Sequence, residues 1–412
     1  MFSKISSLLF KSLAPFASII LLCSATQSNN IKADFDTIYK EIKNTYAPDR
    51  RVKVFDVTLT QKGDSTIVNG ATTEEKALNS LKEALKKGGI EATFSVELLP
   101  SSKLGDKVYG IATQSVINLR MDDGYAEEAG TQVMMGTPLK LLRKRDGWTQ
   151  VITPEGYISW VTSGSLAELT EEDFNKYIES KKVILTTRYT VVTEKPSEKS
   201  QPICDAVWGN VFLDLGKKGK FTKVGLADGR EGYILTKNIE PFDKWLSKRN
   251  PTPEDIIETA KQFIGVPYMW GATSIKAVDC SGFTKSVYFL NGIILARDAS
   301  QQCYTGDNIN ISEYVDGNKY TRESLKNLKT GDLIFFGRKA TPEKKERISH
   351  VGIYIGEGIF IHSATKVRIN SLIPEDSNYY EGSVRLVRAQ RILGNENKGK
   401  GIITIDNSIY VK

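Results

Sequence analysis

The chain has 412 residues, 40% hydrophobic and 25% charged, and its 56 Lys and Arg against 49 Asp and Glu give a formal charge of +7. That balance excludes a disordered or fibrous chain, and the length predicts two to four domains. The positive charge is spread without a basic block on any one element, so no nucleic-acid partner is expected.

Lys4 and Lys11 lead into a mostly apolar stretch, Ser12 to Leu22, that ends in Cys23-Ser24-Ala25. Positive charge, a short apolar run and small residues after it predict a secretory signal peptide over residues 1–25, with cleavage after Ala25. The run is short for a membrane span. The mature chain is therefore expected to be exported, to the periplasm or the cell envelope. A lipid anchor at Cys23 is the alternative, although Leu22 is bulky where lipoprotein signals favour a small residue. Without the leader, Cys204, Cys280 and Cys303 remain, an odd number that suits a free reactive thiol. Cys204 and Cys303 are expected to be buried and reduced. No Cys-x-x-Cys pair or histidine cluster is present, so neither a metal site nor a cofactor is expected.

Residues 30–105 read as a small α/β domain. Phe35, Ile38, Tyr39 and Ile42 keep helical spacing, and Arg51 to Thr60 alternates as a strand. Thr72-x-x-Glu75 predicts a capping box before Ala77, Leu78, Leu81 and Leu85, with Gly88-Gly89 ending that helix and a strand from Ala92 to Leu99. Residues 108–242 hold an internal repeat. Trp148 and Trp160 are 12 apart, as are Phe221 and Tyr233, and the two pairs are offset by 73. Short strands between turn residues predict two small β-barrels, 108–170 and 183–242.

Pro251-Thr252-Pro253-Glu254-Asp255 opens the last domain, 250–395: Thr252 caps, Pro253 takes the first helical position and the acids complement the dipole. Ile256, Ile257, Ala260, Phe263 and Ile264 form the buried stripe. Residues 396–412 read as a polar tail with a strand from Gly401 to Ile405, and Arg338 to Arg347 as an exposed loop.

The chemistry is expected at Val278-Asp279-Cys280-Ser281-Gly282-Phe283, where a cysteine enters a helix from a loop rich in Gly and aromatics. Helix-terminal N–H groups and the dipole favour a thiolate there. A base must come from downstream, because the chain has only two histidines, His350 and His362. They lie on the two arms of a predicted hairpin around Gly356-Glu357-Gly358. A three-residue loop sets His362 opposite Gly352 and diagonal to His350, with both imidazoles on one face. That arrangement offers a base, His350, and an orienter, His362, for the cysteine.

Residues 255–390 resemble the NlpC/P60 family of bacterial cell-wall peptidases, which have a papain-like fold. The resemblance rests on Pro267-Tyr268-x-Trp270-Gly271, Asp279-Cys280-Ser281-Gly282-Phe283, Arg297-Asp298-x-Ser300-Gln301-Gln302, Gly331-Asp332-Leu333-Ile334-Phe335-Phe336 and His350-Val351-Gly352-Ile353-Tyr354. It implies Cys280 as nucleophile, His350 as base and His362 as orienter, acting on the γ-D-glutamyl–diamino acid bond of peptidoglycan stem peptides. The two barrels resemble bacterial SH3 domains. In one subgroup of the family the first such domain leans over the cleft and helps to demand a free N-terminal L-Ala. Carried over, that pattern implies substrate-binding roles for Glu128 and Tyr157, and for Tyr268, Trp270, Asp279 and Ser281 of the catalytic domain. The expected fold class is a multidomain α+β chain: a small α/β N-terminal domain, two SH3-like β-barrels and a C-terminal papain-like NlpC/P60 domain, acting as a monomer on muropeptides. Alternatives are an endopeptidase on intact wall and a non-catalytic wall-binding protein.

Overall fold

The computed structural model describes residues 15–63, 65–311, 320–399 and 401–411, with side chains from residue 31 onward. The signal peptide assigned to residues 1–25 and the choice between Ala25 and Cys23 lie outside the residues whose side chains are described. Among the described residues no helix is long and apolar enough to cross a membrane. The chain divides into two compact units, Met1–Ser101 and Ser102–Lys412.

In the first unit the helix Pro15–Tyr46 buries Phe35, and Ile38, Tyr39 and Ile42 pack on the same core. Three strands, Phe55–Lys62, Ser65–Thr72 and Thr93–Leu98, lie side by side in chain order. The first two are antiparallel, whereas the third is parallel to the second across the helix Glu75–Lys87. That helix buries Ala77, Leu78, Leu81 and Leu85, an apolar face at helical period. The expected capping box is not formed. Thr72 ends a strand, so its hydroxyl is spent on the carbonyl of Val54 (2.8 Å) and the N–H of Glu74 (2.8 Å), and the helix caps at Glu74 without a side-chain bond.

The second unit contains two seven-stranded sheets, the first running from Tyr109–Ala112 to Leu166–Leu169 and the second from Lys182–Leu185 to Ile239–Pro241. Numbered along the chain, the strands of both sheets lie in the order 7-1-4-5-6-2-3. The repeat extends to single bonds. The Thr149–Ser163 hydroxyl pair at 2.8 Å recurs as Thr222–Thr236 at 2.9 Å. The turn bond from Thr153 N–H to the Tyr157 carbonyl recurs as Leu226 N–H to that of Arg230. Gly156 and Gly229 both take positive φ, 86° and 88°, at the same point of that turn.

The helix Pro253–Lys261 begins with a complete capping box between Thr252 and Asp255. Ile256, Ile257, Ala260 and Phe263 are buried, but Ile264 is exposed because the helix has already ended at Lys261. A six-stranded antiparallel sheet follows, its strands ordered 1-6-2-3-4-5. The helix Cys280–Leu290 packs Phe283 and Val287 into one core with Phe335, Val351, Ile353 and Ile361. The other face carries Ile334, Phe336, Tyr354 and Phe360 with Leu325 and Leu372. Both faces are covered, which explains the unbroken apolar run Leu333-Ile334-Phe335-Phe336. The C-terminal segment is not a free tail. Ile402 and Ile405 are buried, Ile403–Thr404 pairs with Ile293–Ile294, and the Tyr410 hydroxyl reaches Thr137 at 3.1 Å.

Candidate active site

Cys280 is the first residue of its helix, and Asp279 is the N-cap, accepting the Gly282 N–H at 2.6 Å. Gly282 is needed because a Cβ there would collide with the Ala272 carbonyl oxygen. The remaining capacity of the Asp279 carboxylate is spent as well. Arg297, 1% exposed, grips it with two nitrogens at 2.6 and 3.2 Å, the Gly271 N–H donates at 2.9 Å and the Ser281 hydroxyl at 3.3 Å. Ser281 in turn accepts from Arg297 at 3.1 Å. Asp279 and Ser281, which the resemblance put among the substrate-binding residues, thus sit in a closed, buried cluster that locks the loop to the helix. A buried carboxylate with these partners is a structural anchor, since losing one partner would strand the other's charge.

The resting state of the sulfur also departs from expectation. Burial pushes the Cys280 thiol up to about 12, and the Asp279 carboxylate adds to the rise. The N–H groups of Val351 and Ser281 and the charge of Arg297 favour the anion without overcoming burial. The helix terminus fails to deliver a thiolate because burial and the Asp279 carboxylate outweigh its N–H groups. Burial also lowers His350 to about 3, with His362, Arg385 and Arg368 adding to it, and lowers His362 to about 4. Burial therefore favours the neutral thiol and the neutral imidazoles.

The hairpin reaches the expected register by a different turn. Gly352 pairs with His362 and Tyr354 with Phe360, but Gly356 then pairs with Ile359, leaving a two-residue turn. Glu357 and Gly358 take φ of 50° and 82°, the two positive values that a tight hairpin turn of this hand requires. A bulge at Ile355 supplies the extra residue that keeps both histidines on one face.

From this register a directed chain of hydrogen bonds follows. The Asn378 carbonyl can only accept, so Asn370 points its Nδ2 there, at 2.7 Å. Its Oδ1 must then face His362 Nε2, at 3.0 Å, which makes that nitrogen the donor. His362 Nδ1 is left as acceptor, and it lies 2.7 Å from His350 Nε2. The proton of His350 therefore resides on Nε2, and the lone pair on Nδ1. Cys280 lies in the core cluster that includes Val351, the residue after His350, and the N–H of Val351 favours its anion. Asn370 and Asn378 had no role in the sequence reading. The signal available was an asparagine two residues from an exposed arginine on a strand otherwise apolar inward, too weak without the register.

On the other side of the cysteine, the first sheet meets the loop 267–279. Gly271, at φ 81°, has no room for a side chain, because a Cβ would lie 2.7 Å from the Ala129 carbonyl oxygen. Thr273 N–H donates to Gln132 Oε1 at 2.9 Å, and Lys285 pairs with Glu155 at 3.1 Å. Trp270, 61% exposed, donates its indole N–H to Glu128 at 3.0 Å. Tyr157, 3% exposed, donates its hydroxyl to Asp298 Oδ2 at 3.2 Å. The geometry thus pairs Glu128 with Trp270, and Tyr157 with Asp298, a carboxylate that was quoted in a motif but given no role and that also lies 4.0 Å from Arg297. Tyr268 is half-buried near Cys280 and Asp279, which raise its phenol together with burial. Among the described residues the Tyr268 hydroxyl donates to no protein acceptor.

Cys204 and Cys303 are not joined to each other; Cys303 is fully buried but Cys204 only half, contrary to expectation. Among the described residues no group of His, Cys, Asp and Glu could hold a metal ion.

Two family descriptions match this arrangement: the NlpC/P60 family over residues 265–388 and the bacterial dipeptidyl-peptidase Sh3 domain over residues 120–166. A gamma-D-glutamyl-L-lysine dipeptidyl-peptidase of Bacillus cereus is 31% identical over 273 residues, covering 62% of this chain and 73% of the relative. A Bacillus subtilis protein of the same name is 27% identical, covering 69% of this chain and 84% of its own length. The crystal structure of an NlpC/P60 family protein from Bacillus cereus shares the fold, with a TM-score of 0.57 at 22% identity, over 69% of this chain and 99% of that one. The chain belongs to the NlpC/P60 family of cysteine peptidases and carries a bacterial SH3 domain ahead of its catalytic domain.

Proposed function

We propose that the chain hydrolyses the γ-D-glutamyl–diamino acid bond of peptidoglycan stem peptides and requires a free N-terminal L-Ala. The observation that carries the chemistry is the directed chain Asn378–Asn370–His362–His350, which leaves a lone pair on His350 Nδ1. Nδ1 takes the Cys280 proton as the sulfur attacks the γ-carbonyl carbon. The tetrahedral oxyanion is met by the Cys280 N–H, which stands at a helix start, and by the Tyr268 hydroxyl. Its collapse breaks the C–N bond, and His350 returns the proton to the departing amine. A thioester remains, and water, deprotonated by the same nitrogen, releases the dipeptide and restores the thiol.

The demand for a free amine rests on Glu128 and Asp298, two carboxylates held at the cleft by Trp270 and Tyr157. An ammonium set between them gains two charge-assisted partners, whereas an acylated nitrogen offers no charge and adds bulk against the first sheet. The names of the Bacillus relatives support this reading. The unit 30–105 and the second sheet, 183–242, have no part in the chemistry; we assign the latter as a second SH3-like barrel that serves as scaffold. Action on wall-derived peptides fits a chain at the envelope, either released after Ala25 or anchored at Cys23, and we assign it as a monomer.

The test is mass analysis of products from L-Ala-γ-D-Glu-diamino acid peptides with free and with acetylated amines. Release of L-Ala-γ-D-Glu from the free peptide alone is expected. Equal rates on both would rule out the ammonium pocket, and cleavage of intact sacculi would favour the endopeptidase alternative.

A further inference from the structure

Glu128 and Tyr157 stand on the first sheet and Cys280 on the catalytic domain, so the distance from amine pocket to sulfur is set by the contacts that hold the two together. Away from the cleft, those contacts converge on a small cavity of about 30 Å³ whose lining includes Thr137, Glu155, Lys285, Phe289 and Tyr410. Its walls continue into the functional elements. Glu155 lies in the turn two residues before Tyr157. Thr137 follows the strand Ala129–Met134, which begins one residue after Glu128. Lys285 is on the helix that starts at Cys280.

Two links cross this cavity. Lys285 Nζ and Glu155 Oε1 are 3.1 Å apart, with side chains 16% and 3% exposed. A pair this buried resists separation, because either charge alone would be stranded. Tyr410 arrives from the C-terminal segment and is itself buried. Its ring packs on Phe289, centroids 5.7 Å apart, and its hydroxyl donates to Thr137 at 3.1 Å. The internal repeat marks the charge pair as an addition to the frame. Asp228, the counterpart of Glu155 in the second sheet, spends its carboxylate on Arg230 two residues away. In the first sheet the acid has left its own turn and reaches the helix of the nucleophile.

We propose that the Lys285–Glu155 pair and Tyr410 form a clasp that sets the span between the amine pocket and Cys280. The clasp thereby confines cleavage to peptides whose free amine lies two residues before the scissile bond. This deepens the reading given above and rests on it. Lys285, Glu155 and Tyr410 are positioning residues: they act through Tyr157, Glu128 and Cys280, and a misplacement of about 1 Å costs a positioned reaction up to about 100-fold.

The test uses the full chain with L-Ala-γ-D-Glu-diamino acid peptides, free and acetylated, and with a free-amine peptide one residue longer at its N-terminus. Glu155→Gln combined with Lys285→Met removes both charges together, so neither is stranded. This double variant is expected to raise KM for the shorter free peptide by about tenfold, with kcat within about twofold, and to cut the preference over the longer peptide by a similar factor. Tyr410→Phe, which removes only the bond to Thr137, is expected to do the same by about fivefold. Lys285→Arg keeps the charge and is expected to keep KM within about twofold. The denaturant midpoint checks that each variant folds, and Tyr410→Phe decides alone if the double variant does not. A fall in kcat with KM and preference intact marks a merely structural role and overturns the inference, as does no change in the folded variants. Equal cleavage of free and acetylated peptides by the unaltered chain is a distinct outcome, the failure of the amine pocket itself.

Discussion

The two seven-stranded sheets have the same strand order and the same internal bonds, yet equivalent positions are put to different uses. Tyr157 in the first sends its hydroxyl to Asp298 of the catalytic domain. Arg230, its counterpart, pairs with Asp228 and donates to the Thr113 carbonyl of the first sheet. The loop before the third strand of the first sheet reaches Trp270 through Glu128; in the second, the loop 194–201 closes on itself through Lys195 N–H to Ser200, and its exposed Glu198 pairs with Lys220 of the same sheet's turn. What the second sheet shares with the first is its frame, stacked cation on aromatic included: Arg145 lies 4.6 Å over Trp160 and Lys218 5.7 Å over Tyr233. One repeat is read as part of the cleft and the other as its support. The difference lies in a few surface side chains, because packing within each sheet constrains inward residues and leaves outward ones free to acquire contacts.

Variants that break this comparison are ordered by the size of their effect. Cys280→Ala sets the floor: no product from any peptide, with binding of a free-amine peptide retained by calorimetry, since neither sheet is touched. Arg297→Met strikes the anchor between loop and helix. Leaving Asp279 buried without its partner is expected to cost about 3–5 kcal/mol, read as a lower midpoint in denaturant. Glu128→Gln removes one carboxylate from the first sheet's pocket. A fall of about 10–100-fold in kcat/KM is expected on peptides with a free amine, from a hydrogen bond to a charged group, with acetylated peptides uncleaved by both forms. Alkylation of Cys280 by iodoacetamide tests the neutral resting pair. With the thiol raised to about 12, the rate should climb roughly tenfold per pH unit from pH 6 to 9 in the unliganded chain. A plateau near pH 5 would instead indicate a preformed thiolate. Arg230→Ala, on the supporting sheet, is expected to change kcat/KM by about twofold at most, as for an exposed ion pair.

Several features could be read without coordinates, and their reasons are local. The capping box at Thr252 and Asp255 follows from four consecutive residues. The repeat was legible because matching turns demand glycines at matching positions, Gly156 and Gly229. The shared face of His350 and His362 was legible as well, although by a three-residue loop, where the chain uses a tighter turn and a bulge that have the same parity. Thr72 shows the opposite case: its capping pattern was present, but a strand that the sequence did not reveal claimed the hydroxyl first.

By itself, then, the sequence determined the repeat of turns, the cysteine at a helix start and the shared face of the two histidines, since each depends on period, parity or turn chemistry over a short span. Tertiary structure alone decided the protonation of the cysteine, the burial of Asp279 and Ser281 with Arg297, the orientation of Asn370 and the meeting of Tyr157 with Asp298. Those are matters of desolvation and of partners far apart in the chain, here 141 positions for Tyr157 and Asp298, and neither is encoded in local spacing.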